Sequence, residues 1–269
     1  MSLEIKKLSQ LGLRDDNFYH ITDENYIYLI ENDSNIIIEE NINAYLLDSS
    51  NNSNIYIKSL SNSNLEYTIC NGKNTNTKFD VYGNVLVNEL KFIESNENLN
   101  VNLLKENATF DLYRLVILDN SQSKFIDYVS HKEKKTNSNI SNVGISMNKA
   151  NINFDTTGKI EQGMSKSVCR QLTKGIITSN ESVITSKPIL LIDEYDCFAS
   201  HGATIGKMSD EDLFYLMSRG LSKNEAFFLI LSGIVKPFID RLPIDSMKED
   251  IMNRINNMIE KWDWWRLIN

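Results

Sequence analysis

The chain has 269 residues, with 28 Lys and Arg against 36 Asp and Glu, so its net charge at neutral pH is −8. This balance argues against nucleic acid as the main partner, because phosphate binding needs a basic surface. The 41% hydrophobic content is globular, and no run of about 18 apolar residues is present to span a membrane. Three separated cysteines and the absence of a secretory signal predict a soluble protein of the reducing cytoplasm.

Most of the chain has a β-strand pattern. Residues 1–30 are interpreted as a short N-terminal segment that ends in an apolar run over 26–30, the first predicted strand. From 31 to 205, short runs such as 54–58, 65–69 and 110–117 alternate apolar and polar residues, which is typical of half-buried strands. Asn, Ser, Asp and Gly separate the runs at a spacing of roughly 8–12 residues. The pattern predicts an all-β sandwich, barrel or solenoid, and periodicity alone leaves that choice open.

The last part of the chain, 206–269, is predicted to be helical. Ser209 is a suitable N-cap for a first helix, and Gly220 follows its last turn at the position that favours glycine. Ser222 and Glu225 form a capping box that opens a second helix, which is expected to close near Pro237. A third helix begins after residue 243 and carries an apolar stripe.

Two apolar features of this tail allow more than one interpretation. The second helix is apolar almost all the way round between 226 and 235, so it is either buried on several sides or offered to another protein. Tryptophans at 262, 264 and 265 favour either an interface or docking of the C-terminal segment onto its own domain.

Candidate chemistry is concentrated just before the helices. Cysteine and histidine are ligands for iron or zinc, and residues four apart in an extended segment point to the same side. Cys197 and His201 are therefore predicted to face one site. Gly206 and Lys207 are followed by Met208, so no phosphate-binding P-loop is present there, and no nucleophile-elbow, zinc-protease or dinucleotide-binding motif occurs elsewhere. We therefore expect no enzymatic activity from this chain itself.

The junction between strands and helices resembles a known family. Ser-His-Gly-Ala-Thr-Ile-Gly at 200–206 and Asp-Glu-Asp-Leu-Phe-Tyr-Leu-Met-Ser-Arg-Gly-Leu-Ser-Lys-Asn-Glu-Ala at 210–226 resemble the C-terminal signature of the SufB/SufD family, which builds iron–sulfur clusters. The resemblance is good over 187–235, looser over 154–188, and limited to β character before residue 150. It implies a right-handed parallel β-helix core (31–205) followed by a C-terminal α-helical domain (206–269).

The resemblance also implies a transient iron–sulfur cluster. His201 falls on the histidine of the family motif, and Gly202 replaces the glutamate that follows it in SufB-type members, so the chain is SufD-like at this point. Cys169 is the nearest candidate for the family's cluster cysteine, and Cys197 matches no family position. The candidate metal ligands are therefore His201, Cys169 and Cys197.

Family members act as scaffolds that pair through their β-helices and dock an ABC-type ATPase, SufC, on their helical domains. The implied partners are thus this ATPase and either a second copy or a SufB/SufD-type paralogue. The predicted docking residues are Leu213, Phe214, Tyr215, Arg219, Gly220 and Phe227. The alternatives are a β-helix carbohydrate-active enzyme and a purely structural β-solenoid.

Overall fold

A computed structural model describes residues 3–13, 16–70 and 72–260 of the chain. Within them, seventeen strands precede three α-helices. The strands are β1 Glu4–Lys7, β2 Tyr19–Ile21, β3 Tyr26–Ile30, β4 Ser34–Ile38, β5 Asn43–Asp48, β6 Asn54–Ser59, β7 Asn64–Cys70, β8 Asn76–Val81, β9 Asn84–Lys91, β10 Asn96–Leu103, β11 Thr109–Asp119, β12 Gln122–His131, β13 Asn137–Met147, β14 Asn151–Ile160, β15 Val168–Ile177, β16 Val183–Ile192 and β17 Phe198–Lys207. The helices are α1 Asp210–Ser218, α2 Lys223–Ile239 and α3 Asp245–Glu260.

The strands form a parallel β-helix. Odd-numbered strands make one nine-stranded sheet, even-numbered strands make one eight-stranded sheet, and each strand pairs in parallel with the strand two positions along the chain. Consecutive strands joined by hairpins would instead be antiparallel neighbours. The predicted mainly β fold with a solenoid core and a helical C-terminus is therefore confirmed, and the sandwich and barrel alternatives do not apply.

The coils of the β-helix become larger along the chain. Ile27 pairs with Tyr45 one coil later, whereas Ser138 pairs with the much more distant Cys169. The strands lengthen in the same direction, from five residues in β3 to eleven in β11 and ten in β12. Since strand length sets the width of each sheet, the interior of the β-helix widens toward its C-terminal end.

The boundaries of the β-helix differ from the divisions expected from sequence. β1, β2 and β3 lie within residues 1–30, and they pair into the same two sheets as the later strands. The last strand, β17, extends to Lys207. The described part of the predicted N-terminal segment thus belongs to the β-helix core.

Asparagine has a structural role at the corners. Side-chain amides stack between coils, as in the bonds from Asn76 to Asn54 and from Asn98 to Asn76. Other asparagines have a positive φ between 50° and 67°, a region that Asn tolerates better than other residues with a side chain. These positions are Asn17, Asn41, Asn52, Asn62, Asn74, Asn107, Asn120 and Asn148.

Alternating residues of each strand face the interior or the outside. In β11, Phe110 and Leu112 belong to the interior cluster, whereas Leu115 and Ile117 belong to a second cluster on the outer face of the nine-stranded sheet. That second cluster also contains apolar residues of all three helices. Arg241, which follows α2, stacks on Tyr113 of β11, 4.1 Å from the ring centroid. The helical domain therefore covers the outer face of the nine-stranded sheet around β11.

The caps of α1 and α2 follow the sequence prediction. The Ser209 side chain accepts a hydrogen bond from the backbone of Asp212, and Gly220 has φ +97° after the helix end. A full capping box joins Ser222 and Glu225.

Helix α2, however, continues past Pro237 to Ile239. Pro237 removes only one hydrogen bond near the helix end, and Phe238 and Ile239 gain burial, which offsets the loss. The expected end of α2 near Pro237 was therefore slightly too early.

Helix α3 has the predicted stripe, with Ile251 and Ile255 buried against the rest of the domain. The tryptophans at 262, 264 and 265 lie outside the described residues. None of the three helices in the described part of the chain combines the length and hydropathy that a membrane span requires.

Candidate functional site

The β-helix ends in an open coil. β16 and β17 are the last strands of their sheets, and within the described residues each has a strand neighbour on one side only. Inward-facing residues of earlier coils are buried, whereas Leu190 of β16 is partly exposed and His201 of β17 is exposed. In the part of the chain that the structure describes, the interior is therefore accessible from this end.

Cys169 lies one coil inside this opening. It faces inward on β15, is 1% exposed, and stands in register with Ser138 on one side and Ala199 on the other. Burial raises the pKa of the Cys169 thiol, although a hydrogen bond with the Ser138 hydroxyl partly opposes this effect. The group is thus a neutral thiol near pH 7.

The other two candidate ligands lie at the opening itself. Cys197 is in the turn before β17, and its Sγ donates to the Glu194 carbonyl oxygen at 3.2 Å. Burial, with the nearby charges of Glu194 and Asp196, raises the pKa of this thiol. His201 pairs in register with Gln171 of β15.

The three candidates do not make a complete metal site in this chain. Among residues 3–13, 16–70 and 72–260, no group of three or more His, Cys, Asp or Glu side chains is arranged to hold a metal ion. The three residues are nevertheless grouped at one end of the β-helix, since Cys169 pairs with Ala199, between Cys197 and His201. Their role as ligands stays a prediction.

Sequence reasoning missed a buried ionic cluster in the middle of the β-helix. Arg114 is 1% exposed, and its guanidinium donates to Glu89 at 2.7 Å and to the two oxygens of Asp127 at 2.8 and 2.9 Å. Lys91, also buried, donates to Glu97 at 2.8 Å. Burial alone would raise the pKa of Glu97, but Lys91 and neighbouring hydroxyls outweigh it and lower the pKa. The available signal was strand parity, since Arg114 lies two and four positions after Leu112 and Phe110, which face inward.

The predicted docking residues divide into two groups. The first group is exposed: Phe214 and Tyr215 of α1 are 73% and 57% exposed, and Gly220 is exposed as well. The Arg219 guanidinium lies over the Tyr215 ring, 5.2 Å from the ring centroid. Leu213 and Phe227 are instead buried in the cluster between the helices and the β-helix. These two residues support the surface from below and do not present side chains to a partner.

Comparison with known proteins agrees with this architecture. The family model described as "SUF system FeS cluster assembly, SufBD core domain" matches residues 21–234, which is most of the chain. The chain belongs to the SufB/SufD family. The match spans most of the β-helix, helix α1 and most of α2, so the resemblance carried by the motifs at 200–226 extends over nearly all of the strand-rich region.

One of the relatives of the chain is a SufD protein, and others are described only as SufBD family proteins. The chain is 32% identical over 160 residues to the iron–sulfur cluster assembly protein SufD of Bacillus subtilis, which covers 59% of this chain and 37% of that protein. It is 38% identical over 96 residues to a SufBD family protein of Pyrococcus horikoshii, covering 35% and 21%. A SufBD family protein of Staphylococcus haemolyticus is 33% identical over 127 residues, covering 46% and 26%. The chain thus spans well under half the length of these relatives.

Proposed function

We propose that the chain is a non-catalytic scaffold subunit of Suf-type iron–sulfur cluster assembly, which docks an ABC-type ATPase (SufC) and pairs with a second copy or a SufB/SufD-type paralogue in the cytoplasm. The observation that carries the proposal is the surface of α1, where Phe214 and Tyr215 project into solvent from a helix that is anchored through Leu213. Large exposed aromatic side chains on an ordered helix are typical of interface hot spots.

The α1 surface is organised before any partner arrives. The Arg219 guanidinium stacks on the Tyr215 ring. Met217 of α1 and Leu229 of α2 are two further exposed apolar residues of the same helical hairpin. Because the backbone of α1 and α2 is already helical, less conformational entropy is lost on binding than for a segment that folds on its partner. An ATPase that presents a complementary apolar groove would bury these residues.

The open coil supports pairing between scaffold subunits. Within the described residues, β16 and β17 each have a strand edge without a neighbour, and such edges are the usual sites of sheet extension by another chain. Exposed apolar residues flank them, including Ile189 and Leu191 of β16 and Phe198 of β17. A second subunit that covered this end would also bury the surroundings of Cys197 and His201. It could thereby supply further ligands for a cluster, which is the cargo of the assembly.

Docking is tested by Phe214→Glu. Loss of a central aromatic anchor and burial of a charge should weaken ATPase binding about thirtyfold, corresponding to a hot spot of roughly 2 kcal/mol. The measurement is gel filtration and titration with the purified ATPase. Ile126→Glu is the matched control, because Ile126 is also an exposed apolar residue but lies on the eight-stranded sheet.

Equal affinity of Phe214→Glu and wild type would refute docking through α1. The same purified complex, reconstituted anaerobically with iron and sulfide, should show iron–sulfur absorbance. A purely structural β-solenoid predicts no such absorbance and no ATPase complex.

A further inference from the structure

The buried ionic cluster around Arg114 contains more acidic than basic groups. Its members are Glu89 and Lys91 of β9, Glu97 of β10, Arg114 of β11 and Asp127 of β12, and none of them is more than 4% exposed. Ion pairs link all five, because Lys91 lies between Glu97 and Glu89, and Arg114 lies between Glu89 and Asp127. Three carboxyl groups thus face two cations. If all five groups were ionised, the interior would hold one uncompensated negative charge, which is strongly unfavourable at such burial.

Two of the three carboxyl groups have the surroundings of an ionised group. Glu97 accepts from Lys91 Nζ at 2.8 Å through one oxygen, and from the backbone N–H of Thr75 at 3.0 Å through the other. Asp127 accepts from Arg114 through both oxygens, at 2.8 and 2.9 Å. In each group both oxygens are bonded to donors and at least one donor is a cation, which favours the charged form.

The third carboxyl group, that of Glu89, is bonded through one oxygen only. Its Oε2 accepts from Arg114 Nε at 2.7 Å, but its buried Oε1 has no hydrogen-bond partner within the described residues. Lys91 Nζ is 3.8 Å from this oxygen and donates to Glu97 instead. On the side of the earlier coils, Glu89 stands in register with the apolar Ile69. Burial raises the pKa of Glu89, although Arg114 and Lys91 act against the rise.

No other buried group nearby supplies the missing positive charge. Among the buried residues of the described ranges, Lys91 and Arg114 are the only lysine or arginine. Asp48, two strands away in the same sheet, is a further carboxyl group, and it accepts from the Tyr67 hydroxyl at 2.5 Å. His131 of β12 is neutral at pH 7, because burial lowers its pKa to about 4. A proton on one of the carboxyl groups therefore balances the cluster.

We propose that Glu89 Oε1 carries one proton at neutral pH, and that this proton couples the stability of the coils formed by β9–β12 to pH. The neutral carboxyl group still accepts the Arg114 bond through Oε2, while the charge of Arg114 is balanced by Asp127 and that of Lys91 by Glu97. The proposal is independent of ATPase docking and of the candidate metal ligands.

The position of Glu89 gives the proton a structural consequence. Leu90, the next residue of β9, faces the opposite side of the sheet and belongs to the outer cluster that includes all three helices. Release of the proton would leave an unpaired charge directly behind this contact. The coils on which the helical domain packs would then be less stable.

Neutral variants of the same shape distinguish the carboxyl groups. Glu89→Gln resembles the protonated side chain and should leave the urea midpoint at pH 7 close to that of wild type. Glu97→Gln is the matched control: it leaves Lys91 buried without its carboxylate, and the unfolding equilibrium constant should increase by about a hundredfold or more. Equal increases in the two variants would show that Glu89 is ionised and would overturn the proposal.

The pH dependence of unfolding counts the proton. Because the pKa of Glu89 is raised in the folded chain, the stability that depends on it is complete below pH 4.5, the ordinary pKa of a glutamate, and decreases as the pH rises. Between about pH 5.5 and pH 7 the unfolding equilibrium constant of wild type should increase about tenfold more per pH unit than that of Glu89→Gln. His131 titrates alike in both proteins, so its contribution cancels. Parallel curves in urea denaturation would contradict the proposal.

Infrared spectroscopy detects the proton itself. The C=O stretch of a protonated carboxyl group is separate from the carboxylate bands, and at pH 7 one such group should be lost in Glu89→Gln and retained in Glu97→Gln. A buried monovalent cation is the alternative source of positive charge. In that case Glu89→Gln would leave the band unchanged, and the free energy of unfolding of wild type would rise with K⁺ or Na⁺ concentration. That result would overturn the proposal.

Discussion

The early and late coils of the β-helix are held together in different ways. The interior of the early coils is dominated by aliphatic and aromatic residues such as Ile57 and Phe79. From β9 onward the strands also bury Arg114, its carboxylate partners and, further along, His131. The late coils are also the longer ones, since their strands reach ten or eleven residues.

The difference shows where the fold can accommodate chemistry. A narrow coil is filled mainly by one layer of apolar side chains at close to crystal density. Its few buried polar groups are small or hydrogen-bonded, as where the Tyr67 hydroxyl donates to the buried Asp48. A wider coil takes longer polar side chains, but each buried charge must then be paired to offset its desolvation. The helices pack on the outer face of one of these wide coils, through Leu115 and Ile117 of β11. The buried ionic cluster around Arg114 and the proposed partner surface thus occur in the same half of the molecule.

The largest expected effect comes from Arg114→Met. This change removes the guanidinium that binds Glu89 and Asp127 and leaves both carboxylates buried without their main partner. Breaking a buried ion pair from one side typically costs about 3–5 kcal/mol. We expect a loss of that size in the free energy of unfolding, measured by urea denaturation.

Lys124→Met is the matched control for Arg114→Met. Lys124 forms an exposed pair with Asp155 at 3.4 Å, and such pairs contribute about 0–1 kcal/mol. If Arg114→Met lowered the free energy of unfolding by no more than Lys124→Met does, the ionic cluster would be dispensable. The late coils would then depend mainly on apolar packing, as the early ones do.

The next effect is a pH dependence located in the late coils. Burial lowers the pKa of His131 from 6.5 to about 4, so as the pH falls the unfolded chain takes up a proton near pH 6.5 that the folded chain takes up only near pH 4. The stability contributed by the neutral ring is therefore complete above pH 6.5 and is lost as the pH falls toward 4, by up to about 3 kcal/mol. His131→Gln keeps polar contacts without titrating, so its unfolding free energy should fall less over this range. Parallel curves for variant and wild type, from denaturation at several pH values, would contradict this account.

Much of the fold was predictable because it depends on local patterns. The run at 54–58 is strand β6, and the caps at Ser209 and Ser222 start helices where expected. The parallel arrangement was not predictable from periodicity, because residues alternate in the same way in hairpins and in solenoids. Pro237 was expected to end α2, and burial of the two residues that follow outweighed the lost hydrogen bond.

The site was less predictable because it depends on register. Cys197 and His201 are close in sequence, so the expectation of a common side follows from alternation alone. The contact between Ser138 and Cys169 depends instead on the length of the coil that joins them, and coil length varies along this chain. No rule based on one sequence fixes that length in advance. Strand parity would have identified Arg114 as inward-facing, but its partners lie on other strands.

A smaller effect is expected at the early corners. Asn62 has φ 59°, and Ala in this conformation costs about 1–2 kcal/mol, whereas Gly adopts it without strain. Asn62→Ala should therefore lower the free energy of unfolding by about 1 kcal/mol, and Asn62→Gly by less than half of that, even though both lose the bond to Asn41. Equal losses for Ala and Gly in urea denaturation would show that amide stacking, and not backbone conformation, selects asparagine at the early corners.

The smallest expected effect lies at a late corner, where a lysine occupies the left-handed region. Lys135 has φ 56°, and its pair with Glu106 is exposed and contributes little. Lys135→Gly should raise the free energy of unfolding by roughly 0.5 kcal/mol, because relief of strain exceeds the entropy cost of glycine. Lys135→Asn should stabilise the protein by a smaller amount, since asparagine tolerates this conformation without the entropy cost of glycine. A loss of stability in both variants would mean that side-chain contacts of Lys135, rather than its backbone conformation, set the stability of the late corner.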